Sequence, residues 1–193
     1  MDKKEIRKEI AGKKAYYSDE EINSMSESVC RQIIALPEFA ASKQILVYHS
    51  IPKEVQTGNF IENIKNGKEI FLPVIEENHL SVKKYTGKEN GGKRGIFGIW
   101  EPVGEVCLDY RSIDMIIVPG VAFDRKCNRL GRGKGYYDRL LPSFPNSTLK
   151  IGICFDFQLV DSIPTDSFDI PMDMVITEKE NIKINRKPIL KSE

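Results

Sequence analysis

The stretch NRLGRGKGYYDRLL, residues 128–141, sets three glycines among three arginines and a lysine, with two adjacent tyrosines and an aspartate close behind. Glycines at that spacing let backbone N–H groups come close to a phosphate, and a helix starting just beyond them adds unpaired donors and a partial positive charge. Arg129, Arg132 and Lys134 supply full charges in the same place. The chemistry that suits such a segment is capture of a phosphorylated or otherwise anionic ligand. It is neither of two familiar phosphate loops. GxxxxGK[ST] fails because Lys134 is followed by Gly135, and the glycine spacing is not GxGxxG. On spacing alone, a glycine turn with a solvated basic rim also fits, as does a nucleic-acid site in which basic and aromatic residues interleave.

The whole chain narrows this. It has 193 residues, 29 basic and 28 acidic, for a formal net charge of +1. No global field therefore gathers nucleic acid or an acidic membrane, and any anion site must be local. Hydrophobic content of 40% and charged content of 30% are those of a soluble globular protein, and the length predicts a single domain over residues 1–193. The opening MDKKEIRKEIAGKKAYY has no apolar core of export-signal type, and no run approaches a membrane span. The expected location is cytoplasmic, with Cys30, Cys107, Cys127 and Cys154, scattered and without a CxxC pair, as reduced thiols. Cys127 lies beside the cationic loop, where a thiol can be activated. Two histidines and isolated cysteines do not suit structural zinc, so a metal here should be a hard cation on carboxylate and phosphate oxygens.

The elements that must position the loop follow from periodicity. Residues 2–16 read as a helix, with Ile6 and Ile10 one turn apart. Ser18 and Glu21 form a capping-box signature ahead of the stripe Ile22, Met25, Val29, Ile33 and Leu36, and Pro37 closes that second helix. Strands are expected at 45–50, 69–75 and 79–85, the last antiparallel to its predecessor. The glycine-rich 86–105 reads as loop, 113–123 as a continuous apolar run of the kind that fills the centre of a parallel sheet, with its strand ending at 119, 149–155 as another strand, and 172–184 as one or two short final strands. A helix begins near Lys134 or Gly135. Strands alternating with helices predict an α/β fold, with a mainly parallel central sheet flanked by helices and some antiparallel strands. Ligands in such folds sit beyond the carboxyl ends of the strands.

The longer run VPGVAFDRKCNRLGRGKGYYDRLL, residues 118–141, resembles the signature of the 5-formyltetrahydrofolate cyclo-ligase (methenyltetrahydrofolate synthetase) family. KKEIRKE near the start, YHSIPKEVQT, GIWEP and FDIPMDMVITE echo it along most of the chain. Two positions depart: Cys127 stands where the family often has glycine, and Phe168 where many members have histidine. The resemblance implies an enzyme that uses ATP and Mg2+ to close 5-formyltetrahydrofolate to 5,10-methenyltetrahydrofolate, through phosphorylation of the formyl oxygen, with ADP and phosphate released. By that resemblance Lys3, Lys4 and Arg7 contact ATP, as does the loop Arg129, Leu130, Gly131, Arg132, Gly133, Lys134, Gly135, Tyr136 and Tyr137. Arg132 to Tyr136 also face the folate, with Lys134, Arg132 and Tyr136 as the catalytic set. His49, Glu54 and Trp100 bind substrate, and Asp138 and Asp173 hold magnesium. The implied partners are the two small molecules, with no nucleic acid and no membrane, and the protein is expected to be a monomer.

Overall fold

Side-chain caps start the first two helices. In a computed structural model, which describes residues 1–95 and 100–184 (the side chains of Lys93, Arg94 and Trp100 excepted), helix α1 spans Lys3–Lys14 and α2 spans Asp19–Ile34. Asp2 accepts from the N–H groups of Lys4 and Glu5 while Glu5 reaches back, a capping box that complements the one formed by Ser18 and Glu21. Pro37, expected to close the second helix, instead opens the short α3, Pro37–Ala41.

The chain continues through β1 (Gln44–Val47), α4 (Gly58–Ile64), β2 (Glu69–Glu76), β3 (His79–Tyr85), β4 (Gly92–Arg94) and β5 (Trp100–Pro102). It ends through β6 (Met115–Pro119), β7 (Ala122–Asp124), β8 (Arg129–Leu130), α5 (Tyr136–Leu140), β9 (Leu149–Ile153), β10 (Leu159–Val160), β11 (Met174–Ile176) and β12 (Asn181–Lys183). Seven strands form the main sheet in the order β12-β11-β9-β6-β1-β2-β3. The inner five run parallel, and β3 and β12 are antiparallel edges. Both faces are covered, so the inner strands are apolar on alternate residues in both directions. Ile45, Val47, Met115 and Ile117 pack under α2 and α4, whereas Leu46, Ile116 and Val118 pack on the other side with Phe123, Leu140 and Phe144. The α/β class and mainly parallel sheet are as expected. No described helix is long and apolar enough to cross a membrane.

The strand within the apolar run 113–123 ends at Pro119, as expected, and residues 122–124 do not extend it but join a separate three-stranded sheet, β10-β7-β8. Gly120 sits at the break because the Phe123 ring lies against it, and a Cβ there would come within 2.5 Å of Phe123 Cε2. Contrary to expectation, the glycine-rich stretch is not all loop, since β4 and β5 pair antiparallel within it.

The small sheet matters because it delivers the cationic loop. Asp124, 1% exposed, accepts from Lys126 N, Asn128 N, Asn128 Nδ2 and Ile163 N, all at 2.9–3.0 Å. Those bonds wind the turn between β7 and β8, in which Cys127 takes φ 59. A left-handed position favours glycine, which accounts for the family preference noted at this residue. Cys127 is also 0% exposed, so the thiol expected to be reactive is enclosed in the core.

Candidate active site

Counted along the chain, the five parallel strands lie in the order second, first, third, fourth, fifth, and the winding reverses between β1 and β6. Such a reversal opens a crevice beyond the carboxyl ends of the two strands. Here β1 ends into Tyr48 and His49, and β6 ends into Pro119, Gly120 and Val121. All five line a cavity of about 370 Å³. The fold thus makes a pocket where the topology says one should be.

The cationic loop forms one wall. It leaves β8, crosses residues 131–135 and enters α5, with Gly133 at φ 94 and Gly135 at φ 68. An ordinary side chain is strained at either angle. Gly131, Arg132, Lys134, Gly135, Tyr136, Tyr137 and Asp138 line the cavity. The loop is tied to its surroundings at three points. Arg7 Nε donates to Gly131 O at 2.9 Å, and Arg132 Nη2 pairs with Glu54 Oε1 at 2.7 Å. Arg129 Nη2 pairs with Asp138 Oδ1. Lys134 is exposed on the wall and makes no ion pair with any described residue.

The opposite wall comes from the segment after β1 and from β2, β3 and β5. Glu54 Oε2 accepts from Ile51 N at 3.2 Å, so both its oxygens are engaged. Pro73, Ile75 and Leu80 give an apolar lining, and Glu101 from β5 adds a carboxylate only 3% exposed. Sequence reading missed Glu101. It sits in the GIWEP segment beside the tryptophan that drew attention, and one glutamate in a glycine-rich stretch has no periodic signal to mark it. Lys14, also missed, lies near the Glu54–Arg132 pair. Burial lowers its pKa, Glu54 counteracts this and Arg132 adds to it.

The other expected residues divide clearly. His49 lines the cavity. Leu130 does not offer its side chain: it is 2% exposed, packs with Ile6 and Ile10 of α1, and its carbonyl accepts from Val121 N. Arg7 reaches the loop, its guanidinium lying 3.6 Å from where a Cβ on Gly133 would stand. Lys3 points elsewhere, with Nζ bound to Asp166 Oδ2 at 2.7 Å and Asp169 Oδ2 at 2.8 Å, and Lys4 is exposed. Of the three, Arg7 alone is bonded to the loop here. The side chain of Trp100 falls outside the described residues.

The expected magnesium pair is not brought together. Asp173 precedes β11 at its amino end, where Oδ2 accepts from Lys150 N at 2.8 Å, and it does not line the cavity. Among the described residues no group of three or more His, Cys, Asp or Glu is arranged to hold a metal. Of the expected pair only Asp138 lines the cavity, and there its Oδ1 is paired with Arg129.

Burial, then the charge of Lys88, lowers the His49 pKa below the ordinary histidine value, so the ring is neutral near pH 7. The unfolded chain gains the proton first as pH falls. Stability held in full above the unfolded histidine pKa, about 6.5, is therefore lost as pH drops through the folded value. Melting temperature should fall between pH 7 and pH 5 more steeply in the native protein than in His49→Gln. Parallel curves in a thermal scan would refute this.

Comparison with known proteins gives a consistent result. The model of the 5-formyltetrahydrofolate cyclo-ligase family matches residues 1–178. The probable 5-formyltetrahydrofolate cyclo-ligase of Schizosaccharomyces pombe is 34% identical, over 95% of this chain and 98% of its own length. The 5-formyltetrahydrofolate cyclo-ligase of Haemophilus influenzae is 32% identical over 88% of this chain and 94% of its own. The solution structure of Aquifex aeolicus 5,10-methenyltetrahydrofolate synthetase superposes with a TM-score of 0.86 at 38% identity, covering 99% of this chain and 97% of that one. The Mycoplasma pneumoniae 5,10-methenyltetrahydrofolate synthetase superposes with a TM-score of 0.75 at 27% identity, covering 92% and 99%.

Proposed function

The chain belongs to the 5-formyltetrahydrofolate cyclo-ligase family, and from that premise we propose that it closes 5-formyltetrahydrofolate to 5,10-methenyltetrahydrofolate, consuming ATP. The observation that carries the reading is the meeting of two walls in one cavity. Arg132 of the cationic loop touches Glu54 of the post-β1 segment at 2.7 Å. A phosphate held by the loop and a folate held opposite would therefore be neighbours.

The formyl oxygen on N5 attacks the γ-phosphorus, and the bond from that phosphorus to its bridging oxygen breaks as ADP leaves. N10 adds to the activated carbon and loses its proton. Phosphate then departs with the former formyl oxygen, leaving the 5,10-methenyl cation. No protein nucleophile is needed; the work is alignment and charge neutralisation. Lys134, with its charge uncommitted, stands over the transferring phosphoryl group, and Arg132 spans nucleotide and folate from its Glu54 tether. Tyr136 lines the same wall and meets the organic substrate. Magnesium, held by Asp138, would neutralise phosphate charge. The same reading takes the protein as a cytoplasmic monomer acting on two small molecules.

The test mixes purified protein with 5-formyltetrahydrofolate and magnesium-ATP and follows methenyltetrahydrofolate by absorbance. Product should form only with every component present. Product without ATP, or none from folded protein, refutes the proposal.

A further inference from the structure

Three carboxylates line the cavity, and two of them are already paired. Glu54 binds Arg132, and Asp138 binds Arg129. Glu101 is the third. It is 3% exposed, yet its only hydrogen bond with a described residue is a long one, from Ile75 N to Oε1 at 3.4 Å. Its carboxylate lies against the Gly95 backbone, where a Cβ would come within 2.2 Å of Glu101 Cδ, so it has little room to swing away. A carboxylate buried this deeply is costly unless donors reach it, and the cavity is where they can come from.

The surroundings define the donor. Pro73, Ile75 and Leu80 beside Glu101 make an apolar wall suited to a flat ring. A phosphate is repelled there and belongs at Arg132 and Lys134. A carboxylate with two oxygens available matches a planar edge carrying two parallel N–H donors. The 2-amino group and N3–H of the folate aminopyrimidinone ring form such an edge.

Resting on the reading above that folate enters this cavity, we propose that Glu101, rather than the arginine-tied Glu54, receives the two-donor edge of the folate ring and sets specificity for it. The ring then lies under β5 with its formyl-bearing side toward the cationic loop. Glu101 is a binding residue and takes no part in phosphoryl transfer.

The test compares 5-formyltetrahydrofolate with its analogue lacking the 2-amino group, by calorimetric titration into the native protein and into Glu101→Gln, after the native protein has been assayed for cyclisation. The native protein should prefer the parent by roughly 10- to 100-fold. Glu101→Gln should lose most of that preference and raise KM for the parent by a similar factor, with KM for ATP unchanged. A variant that merely packs badly would weaken both ligands alike. That result overturns the proposal, as does full preference retained in Glu101→Gln. Absence of any preference in the native protein overturns it without a variant. Failure of the native protein to bind or cyclise the parent overturns the functional reading, and the Glu101 proposal with it.

Discussion

Replacing Lys134 with alanine is expected to lower kcat by about 100- to 1,000-fold, the usual loss when one preorganised charge is removed from a transferring group. The size of the effect follows from what the neighbouring cations are already doing. Arg129 is paired with Asp138, Arg132 with Glu54, Arg7 with the Gly131 carbonyl and Arg139 with the Asn78 carbonyl. Each of those charges is partly spent on holding the fold. Lys134 makes no ion pair with any described residue, so its whole field is available to phosphate. Because the side chain is exposed, folding stability should change by less than about 0.5 kcal/mol. Steady-state kinetics with urea unfolding as the control checks both halves. A raised KM for ATP at constant kcat would show that Lys134 holds ground state and transition state equally, and would remove it from the catalytic set.

The cationic loop and the first two helices were legible because their signals are local. Ser18 with Glu21 marks a helix start within four residues, and the apolar stripe behind them has the right period. The loop itself was readable as a phosphate site, and the longer run around it resembles a family signature. What could not be read depends on residues far apart in the chain. Lys3 and Arg7 share a helix face, but Asp166 and Asp169 claim the lysine from more than 160 positions away. The apolar run 113–123 has no periodicity to show that residues 122–124 leave the main sheet for a second one, with the Phe123 ring folded back over Gly120. Glu101 is one charge in a glycine-rich stretch, and only the packing of β5 beside β2 turns it into a buried cavity residue.

The second large effect concerns stability. Asp138→Ala should cost about 3–5 kcal/mol, because it leaves the Arg129 guanidinium, 5% exposed, without its counter-charge. What would remain is a 3.4 Å contact from Nη1 to Pro119 O and the face of the Tyr137 ring, 5.4 Å from the guanidinium carbon. For a chain of this length that loss lowers the melting temperature by roughly 6–20 °C. Measured without nucleotide or magnesium, the result isolates the ion pair from any metal the carboxylate holds during turnover. No loss of stability would leave Asp138 as a metal ligand only. The double variant Arg129→Met, Asp138→Leu should regain most of the stability, since an apolar pair of similar volume can replace a buried ion pair. It should not regain activity. Arg129 lies in β8 and Asp138 in α5, so their bond ties together the two elements that flank loop 131–135 and fixes its span. An apolar contact fills the same space without fixing the same geometry. A loop whose donors must meet a phosphoryl group in one arrangement loses rate when it can adopt several. Recovery of stability without recovery of kcat would separate the two roles of the pair, whereas recovery of both would reduce it to packing.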